Sequence, residues 1–394
     1  MYLCSTFCAA LFVQFDKYQN MKELENPFVV YGYVSPTYFC DREQETFDLI
    51  TALSNGRNVT LMSPRRMGKT GLICNAFHQL QQREDVACFY IDIFSTKSLA
   101  SFVKVFASAI VGKLDTPMQR AEGFIQRFFQ GIRLSFSTDM LTGNPQVNLD
   151  FQPEQTESTL EQVFAYLVQS KRECYIAIDE FQQILEYPET NVEALLRSYV
   201  QFCPNVHFIF SGSKQHLMTD IFSSASRPFF QSTEKMHLYP IPEDKYYEFA
   251  SYWMDKKQVQ LPQDMFHAIY QQFDGHTWYV QYILNLLYSV APAVITQQEV
   301  NNAIVHILQR EQDLFQTTFD KLTENQAALL VAIAKEGTVK SINAGEFIRK
   351  YSLKGTSSVN KALAYLIDKE LAYQTPQGYI IYNRFFGFWL KNLM

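Results

Sequence analysis

Four side chains in this sequence have the types and spacing of a phosphate-handling site. Lys69 and Thr70 follow Gly68 in the stretch LMSPRRMGKTG (61–71). Asp179 and Glu180 come near the end of the apolar run CYIAIDEF (174–181), Asp179 lying 110 positions after Lys69. An ammonium on a long stem reaches β/γ-phosphate oxygens, and a hydroxyl beside it can ligate Mg2+. One carboxylate can hold the same ion, usually through water, while a second orients and deprotonates a water nucleophile. Gly68 lets the backbone approach a β-phosphate closely. The loop departs from G-x-x-x-x-G-K-[ST] at one point, where Ser63 replaces the first glycine. That position chiefly needs a small residue leaving a strand sharply, and Pro64 fixes the exit direction. The expected phosphate loop is therefore Ser63, Pro64, Arg65, Arg66, Met67, Gly68, Lys69, Thr70 and Gly71. Thr70 and Asp179 are the expected Mg2+ ligands.

Such residues need elements to deliver them. NVTLMS (58–63) reads as a short buried strand running into the loop, and TGLICNAFHQLQQ after it returns to helical periodicity. A strand leading into a helix aims free N–H groups and the helix dipole at an anion. VACFYIDIF (86–94), CYIAIDEF and VHFIFSGS (206–213) read as further strands, with helices around Arg42–Leu53, 158–170 and 191–202. Asp41 is available as a cap for the first of these helices. Alternation of strand and helix implies βαβ units and a mainly parallel sheet, whose ligands sit at the carboxyl ends of the strands. Residues 135–156, polar and punctuated by Gly-Asn-Pro, read as a loop or a solvent-edge hairpin. Taken singly, an Asp-Glu pair after a strand is often a helix cap, and Gly-Lys-Thr a solvated turn. Their order, on the right elements, favours nucleotide chemistry.

The chain has 394 residues, 47% of them hydrophobic and 19% charged, enough for two or three domains with sizeable cores. A net charge of −6 gives no whole-chain case for nucleic acid. Seven cysteines without a C-x-x-C pair argue against a disulfide framework or zinc site and point to a reducing compartment, the cytoplasm. No run reaches the ~18 apolar residues of a membrane span, so no membrane partner is expected. Residues 1–20 are expected to be a disordered tail or a mis-assigned start, since MKELENPF at Met21 reads like an ordinary beginning. The expected domains are a P-loop core over 21–238, a helical lid over 239–322 after YPIPEDKYY, and a winged helix-turn-helix over 323–394. In that last segment three amphipathic stretches precede two strand-like runs around Pro-Gln-Gly.

With these residues in view, the chain resembles the archaeal-type P-loop ATPases, the AAA-related branch near origin-recognition and STAND ATPases. PRRMGKT (64–70) matches that family's loop variant, IAIDEFQ (176–182) its Walker B strand and FIFSGS (208–213) its sensor strand. NPFVVYGYVSPTYFCDREQE (26–45) resembles its opening segment, where a Phe39-to-Glu43 box places Arg42 near the base. The resemblance implies an α/β fold of the ASCE/AAA type with a helical lid and a winged helix. It also implies ATP with Mg2+ and Glu180 as the water-activating residue. Ser211 and Ser213 are both sensor candidates, Ser211 slightly preferred, with a plain Ser-Gly-Ser turn as the alternative. In SSASRPFF (223–230), Arg227 lies where the family carries an arginine finger, though Ser226 replaces the usual glycine and a structural ion pair is the alternative. FDGHTWYVQYIL (273–284) resembles the second sensor, but His276 and Thr277 depart from the family pattern, and a lone histidine is commonly structural.

The tail carries ten Lys and Arg against six Asp and Glu between Asp320 and Met394, a balance of +4 that leaves −10 on the remainder. Its expected recognition helix is Gly355–Glu370, with Ser357, Ser358, Asn360 and Lys361 near the start. DNA is one expected partner; a protein partner or a second copy of the chain is another, and NRFFGFWL (383–390) suits a docked terminal helix. The reading is an ATP-binding, ATP-hydrolysing conformational switch. Its rivals are a nucleotide-licensed DNA-binding regulator or mobile-element protein, and a scaffold that keeps ATP with negligible turnover.

Overall fold

The computed structural model describes residues 23–111, 114, 129, 132–138, 145–170, 172–375 and 377–393. The expectation for residues 1–20 lies outside them. Among the described residues no helix is long and apolar enough to cross a membrane. The chain divides into two compact units, 1–246 and 247–394.

The first unit is built on a five-stranded sheet in the order β2-β5-β6-β1-β7. Its strands are β1 (Val59–Met62), β2 (Val86–Asp92), β5 (Glu173–Asp179), β6 (Val206–Gly212) and β7 (Glu234–His237), and every pairing is parallel. Helix α1 (Glu43–Ser54) leads into β1; parallel strands need crossovers, and helices supply them: α2 (Lys69–Leu80), α3 (Leu99–Ile110), α4 (Thr156–Gln169), α5 (Val192–Gln201) and α6 (Gln215–Ser223). Successive side chains of a strand go to opposite faces, and both faces here are covered. Tyr175 and Ala177 of β5 join Ile209 and residues of α1 and α2, including Leu53, Leu72 and Phe77. Cys174, Ile176 and Ile178 join Phe208, Phe210 and residues of α3 to α6. This two-sided burial is why the strands read as continuous apolar runs. Phe181, Phe210, Phe222 and Phe229 are fully buried and mutually packed, with centroids 4.5–5.7 Å apart. Each such ring contributes roughly 1.5–3 kcal/mol by leaving water.

Two local expectations are settled by the backbone, and one strand is new. The stretch 135–156, read as a loop or a hairpin, takes part in an antiparallel pair, β3 (Arg133–Thr138) with β4 (Pro145–Asp150), so the hairpin alternative holds. The N-cap of α1 is Arg42, not Asp41; both adopt left-handed backbone, and no side chain caps that helix. β7 was not foreseen: its residues are mostly exposed at the sheet margin, and Glu234 pairs with Arg57 at 2.5 Å.

The second unit is helical until its end. After α7 (Glu243–Lys256), helices α8 (Gln263–Gln272), α9 (Thr277–Val290) and α10 (Gln297–Phe319) precede α11 (Glu324–Glu336), α12 (Gly345–Lys350) and α13 (Thr356–Asp368). A hairpin follows, β8 (Ala372–Thr375) against β9 (Gly378–Ile381), with Val339 bridged to Tyr379. Three helices and this hairpin form a winged helix. The last helix, α14 (Arg384–Lys391), is capped by the Asn383 side chain, which accepts from the N–H groups of Phe385 and Phe386. Phe385 packs on Phe273, Trp278, Tyr279 and Tyr282, while Phe386 packs on Phe315, so α14 pins the tail to the preceding helices.

Candidate nucleotide site

At the carboxyl end of the sheet, β1 runs out at Met62 opposite Gly212 of β6, and β2 ends at Asp92 opposite Asp179 of β5. β6 therefore separates the strand that feeds the loop from the strand that carries the acids. The side chains beyond these ends converge on one place.

The loop is ordered by its own lysine. Lys69 is buried, and its Nζ donates to the Ser63 carbonyl at 2.9 Å, the Pro64 carbonyl at 3.1 Å and Ser63 Oγ at 3.3 Å. Ser63, buried in place of a glycine, thus adds a hydroxyl acceptor without obstructing the turn; its Oγ also lies 3.1 Å from the Pro64 carbonyl. Burial pulls the Lys69 ammonium below its usual range, and the nearby Asp179 and Glu180 oppose that pull. Arg66 has left-handed backbone, and Gly68, at φ 100°, is the N-cap of α2, a conformation that a Cβ would strain. Met67 is buried, and its carbonyl accepts from Arg42 Nη2 at 3.4 Å. Gly71 lies against the Phe39 ring. Arg42, which the family resemblance puts near a base, is itself buried and paired to Glu45 Oε1 at 2.6 Å, so here it braces the loop.

Thr70 Oγ1 and Asp179 Oδ2 are 3.5 Å apart. An octahedral Mg2+ with oxygen ligands at about 2.1 Å sets neighbouring ligands roughly 3 Å apart, so this hard-oxygen pair fits one ion after a small adjustment. Asp179 Oδ1 accepts the Glu180 N–H at 3.0 Å. Glu180 has φ 55°, a left-handed conformation costing a non-glycine residue roughly 1–2 kcal/mol. It turns the chain into the 3-10 segment Phe181–Glu186 and holds its carboxylate at the site. Glu180 Oε2 accepts from Gln182 Nε2 and, at 2.9 Å, from Ser213 Oγ, which in turn accepts from Arg65 Nε at 3.2 Å. The Arg65 guanidinium also lies 5.7 Å from the Phe94 ring centroid.

The remaining expected residues are placed differently. Of the two candidate sensor serines, Ser213 is the one whose hydroxyl reaches Glu180. Ser211 is fully buried, and its Oγ meets no partner among the described residues. Arg227 pairs with Glu193 Oε1 at 2.7 Å and donates from Nε to Asp220 Oδ2 at 2.9 Å, the ion-pair alternative to a finger. His276, in the other unit, is the N-cap residue of α9, its ring 4.7 Å from that of Tyr279.

Three contributors were not picked out from the sequence. Tyr90 donates its hydroxyl to Asp179 Oδ2 and lies 3.2 Å from Thr70 Oγ1; burial, then Asp179, hold its phenol well above the usual tyrosine range. Asp92 is pushed up to about 6, first by burial, with the Phe94 N–H opposing and Asp179 and Glu180 adding. Gln182 holds Glu180. The available signal was positional: Tyr90 and Asp92 are the polar members of one face at the carboxyl end of an apolar strand, where parallel sheets place ligands.

Comparisons agree with this architecture. A family model described as an AAA domain matches residues 52–218, and one described as a probable winged helix domain matches residues 313–392. No curated protein sequence matches the chain. Among solved structures, the Walker-type ATPase paby2304 of Pyrococcus abyssi is similar at TM-score 0.64 and 18% identity, over 93% of this chain and 99% of that one. The ORC2 protein of Aeropyrum pernix, in ADPNP-ADP complexes, is similar at 0.55 and 15%, over 92% and 95%. The ORC1 protein of the same organism, in complex with DNA, is similar at 0.52 and 13%, over 94% and 97%.

Proposed function

We propose that this chain, whose residues 52–218 match an AAA domain and whose residues 313–392 match a probable winged helix domain, binds ATP with Mg2+ and hydrolyses it. One observation carries the reading. Lys69 and Thr70, at the start of the helix that follows β1, and Asp179 and Glu180, at the end of β5, meet at the carboxyl end of the sheet although β1 and β5 are not neighbours, with Thr70 and Asp179 within reach of one ion.

Lys69 balances charge on the β- and γ-phosphate oxygens as its contacts with the loop carbonyls give way. Thr70 and Asp179 hold Mg2+, which neutralises phosphate charge when bound. Glu180 orients the attacking water and takes its proton while the water oxygen bonds to the γ-phosphorus. The bond to the bridging oxygen breaks, and ADP and phosphate leave. Ser213 and Gln182 hold Glu180 through the same carboxylate oxygen, so they set where that base stands. Turnover would serve a conformational switch, with Arg227, once freed from Asp220 and Glu193, completing the site.

The test is phosphate release by wild type and Lys69→Ala, with and without DNA. Release by wild type that Lys69→Ala abolishes is the expected result; equal rates in the two proteins sink the reading.

The basic balance of the tail supports a second reading, in which nucleotide licenses DNA binding through the winged helix. Asn360 and Lys361, near the start of α13, are exposed, and the ORC1 neighbour is in complex with DNA. DNA affinity that falls steeply with salt and changes with ATP supports it, and no binding at low salt removes it.

A further inference from the structure

Tyr90 takes no part in the chemistry above, yet its hydroxyl meets both groups expected to hold the metal. We propose that Tyr90 is a positioning residue of the metal site, its phenol fixing the Asp179 carboxylate and the Thr70 hydroxyl in the arrangement that receives a divalent cation. The inference rests on the nucleotide reading and deepens it.

The geometry begins in the sheet. Tyr90 stands opposite Ala177 and Asp92 opposite Asp179, so the phenol and the carboxylate leave adjacent strands on the same face, two residues apart. The Tyr90 ring packs against the apolar cluster shared by α1, α2 and β1, which sets its direction. Thr70 lies in the first turn of α2, on the same side. The Tyr90 hydroxyl therefore bridges strand and helix, donating to Asp179 Oδ2 and lying 3.2 Å from Thr70 Oγ1.

Without it, Asp179 would be held unevenly. Its Oδ1 accepts the Glu180 N–H at 3.0 Å, but Oδ2 would keep only the Thr70 hydroxyl at 3.5 Å, the limit of a hydrogen bond. With Tyr90 both oxygens are fixed and rotation of the carboxylate is suppressed. A neutral phenol suits the task, because a lysine or arginine there would add a positive charge competing with the ion. Outer-shell donors of this kind are worth about 10–100-fold in metal affinity.

Tyr90→Phe keeps the ring and removes one atom. A fluorescent ATP analogue reports nucleotide affinity in EDTA, and electron paramagnetic resonance reports Mn2+ taken up by the nucleotide complex. The expected result is a Mn2+ affinity about 10–100-fold weaker in Tyr90→Phe, with metal-free nucleotide affinity within about twofold of wild type. Thr70→Ala should lose at least as much Mn2+ affinity. A general loss of structure would lower metal-free affinity and melting temperature as well, so the split between the two readings identifies positioning. Unchanged Mn2+ affinity in Tyr90→Phe overturns the inference alone, and so does tighter binding, which would make the phenol an obstruction. A wild-type protein that takes up no nucleotide under either condition overturns both the inference and the reading beneath it.

Discussion

The two units use their interiors in opposite ways. In the first, buried residues include Arg42, Ser63, Lys69, Asp179, Gln182, Glu193 and Ser211; in the second, Gln281 is the one buried polar side chain among the described residues. Taking a charge out of water costs several kcal/mol unless partners compensate, and the first unit bears that cost at one end of its sheet. The second fills its centre with rings, Phe385 among Phe273, Tyr279 and Tyr282. Chemistry is concentrated where folding is least rewarded for it, while packing dominates where no such group is needed.

The sharpest way to break this contrast is at Glu180. Glu180→Gln should lower the hydrolysis rate about 10²–10⁴-fold while ATP affinity is retained, read by phosphate release and by a fluorescent analogue. ATP bound by both proteins with the same negligible phosphate release would favour the scaffold reading.

In the second unit the counterpart is Phe385→Ala, which should cost about 3–5 kcal/mol in denaturant melting followed by tryptophan fluorescence. Nucleotide affinity should stay at the wild-type value. A parallel loss of affinity would show that the division of labour is false.

Gly212→Ala probes the boundary between packing and chemistry inside the first unit. An added Cβ would collide with Gln182 Oε1 and come 2.6 Å from Met218 Sδ. Moving both side chains should cost about 1–3 kcal/mol and release Glu180 from Gln182, so melting and phosphate release should fall together. A loss of stability with full turnover would assign Gln182 to packing only.

The smallest effect is expected at Asp92. Its carboxyl is raised from 3.8 to about 6, mainly by burial, so the folded state holds the proton more tightly than the unfolded chain. That stability is present below pH ~4, is lost as pH rises through ~6, and changes no further above. Asp92→Asn removes the ionisation. Its melting temperature should match wild type near pH 4 and exceed it by a few degrees at pH 7.5. An equal offset at both values would rule out the ionisation as the cause.

What could be read from the sequence was whatever local pattern encodes. The strand, loop and helix around Gly68 show as a change of period, and Asp179 and Glu180 as acids closing an apolar run. The pairing order was not legible, because nothing in VHFIFSGS says that β6 lies between β1 and β5. That arrangement brings Ser213 to Glu180, a contact between residues 33 positions apart that spacing alone cannot rank above Ser211. Tyr90 was hidden for a related reason: in an apolar strand a tyrosine reads as core, and only the register places its hydroxyl beside Asp179. β7 escaped notice because EKMH lacks the apolar run of a buried strand; at the margin it has little surface to bury.

That margin has a consequence of its own. A bare rim invites a foreign segment to extend the ladder, and the invitation is weak when the rim is four residues long and begins with a glutamate and a lysine. An incoming strand would gain few backbone bonds and would have to disturb the Arg57 side chain engaged with Glu234. At high protein concentration, fibre-like stacking through this side of the sheet is therefore disfavoured.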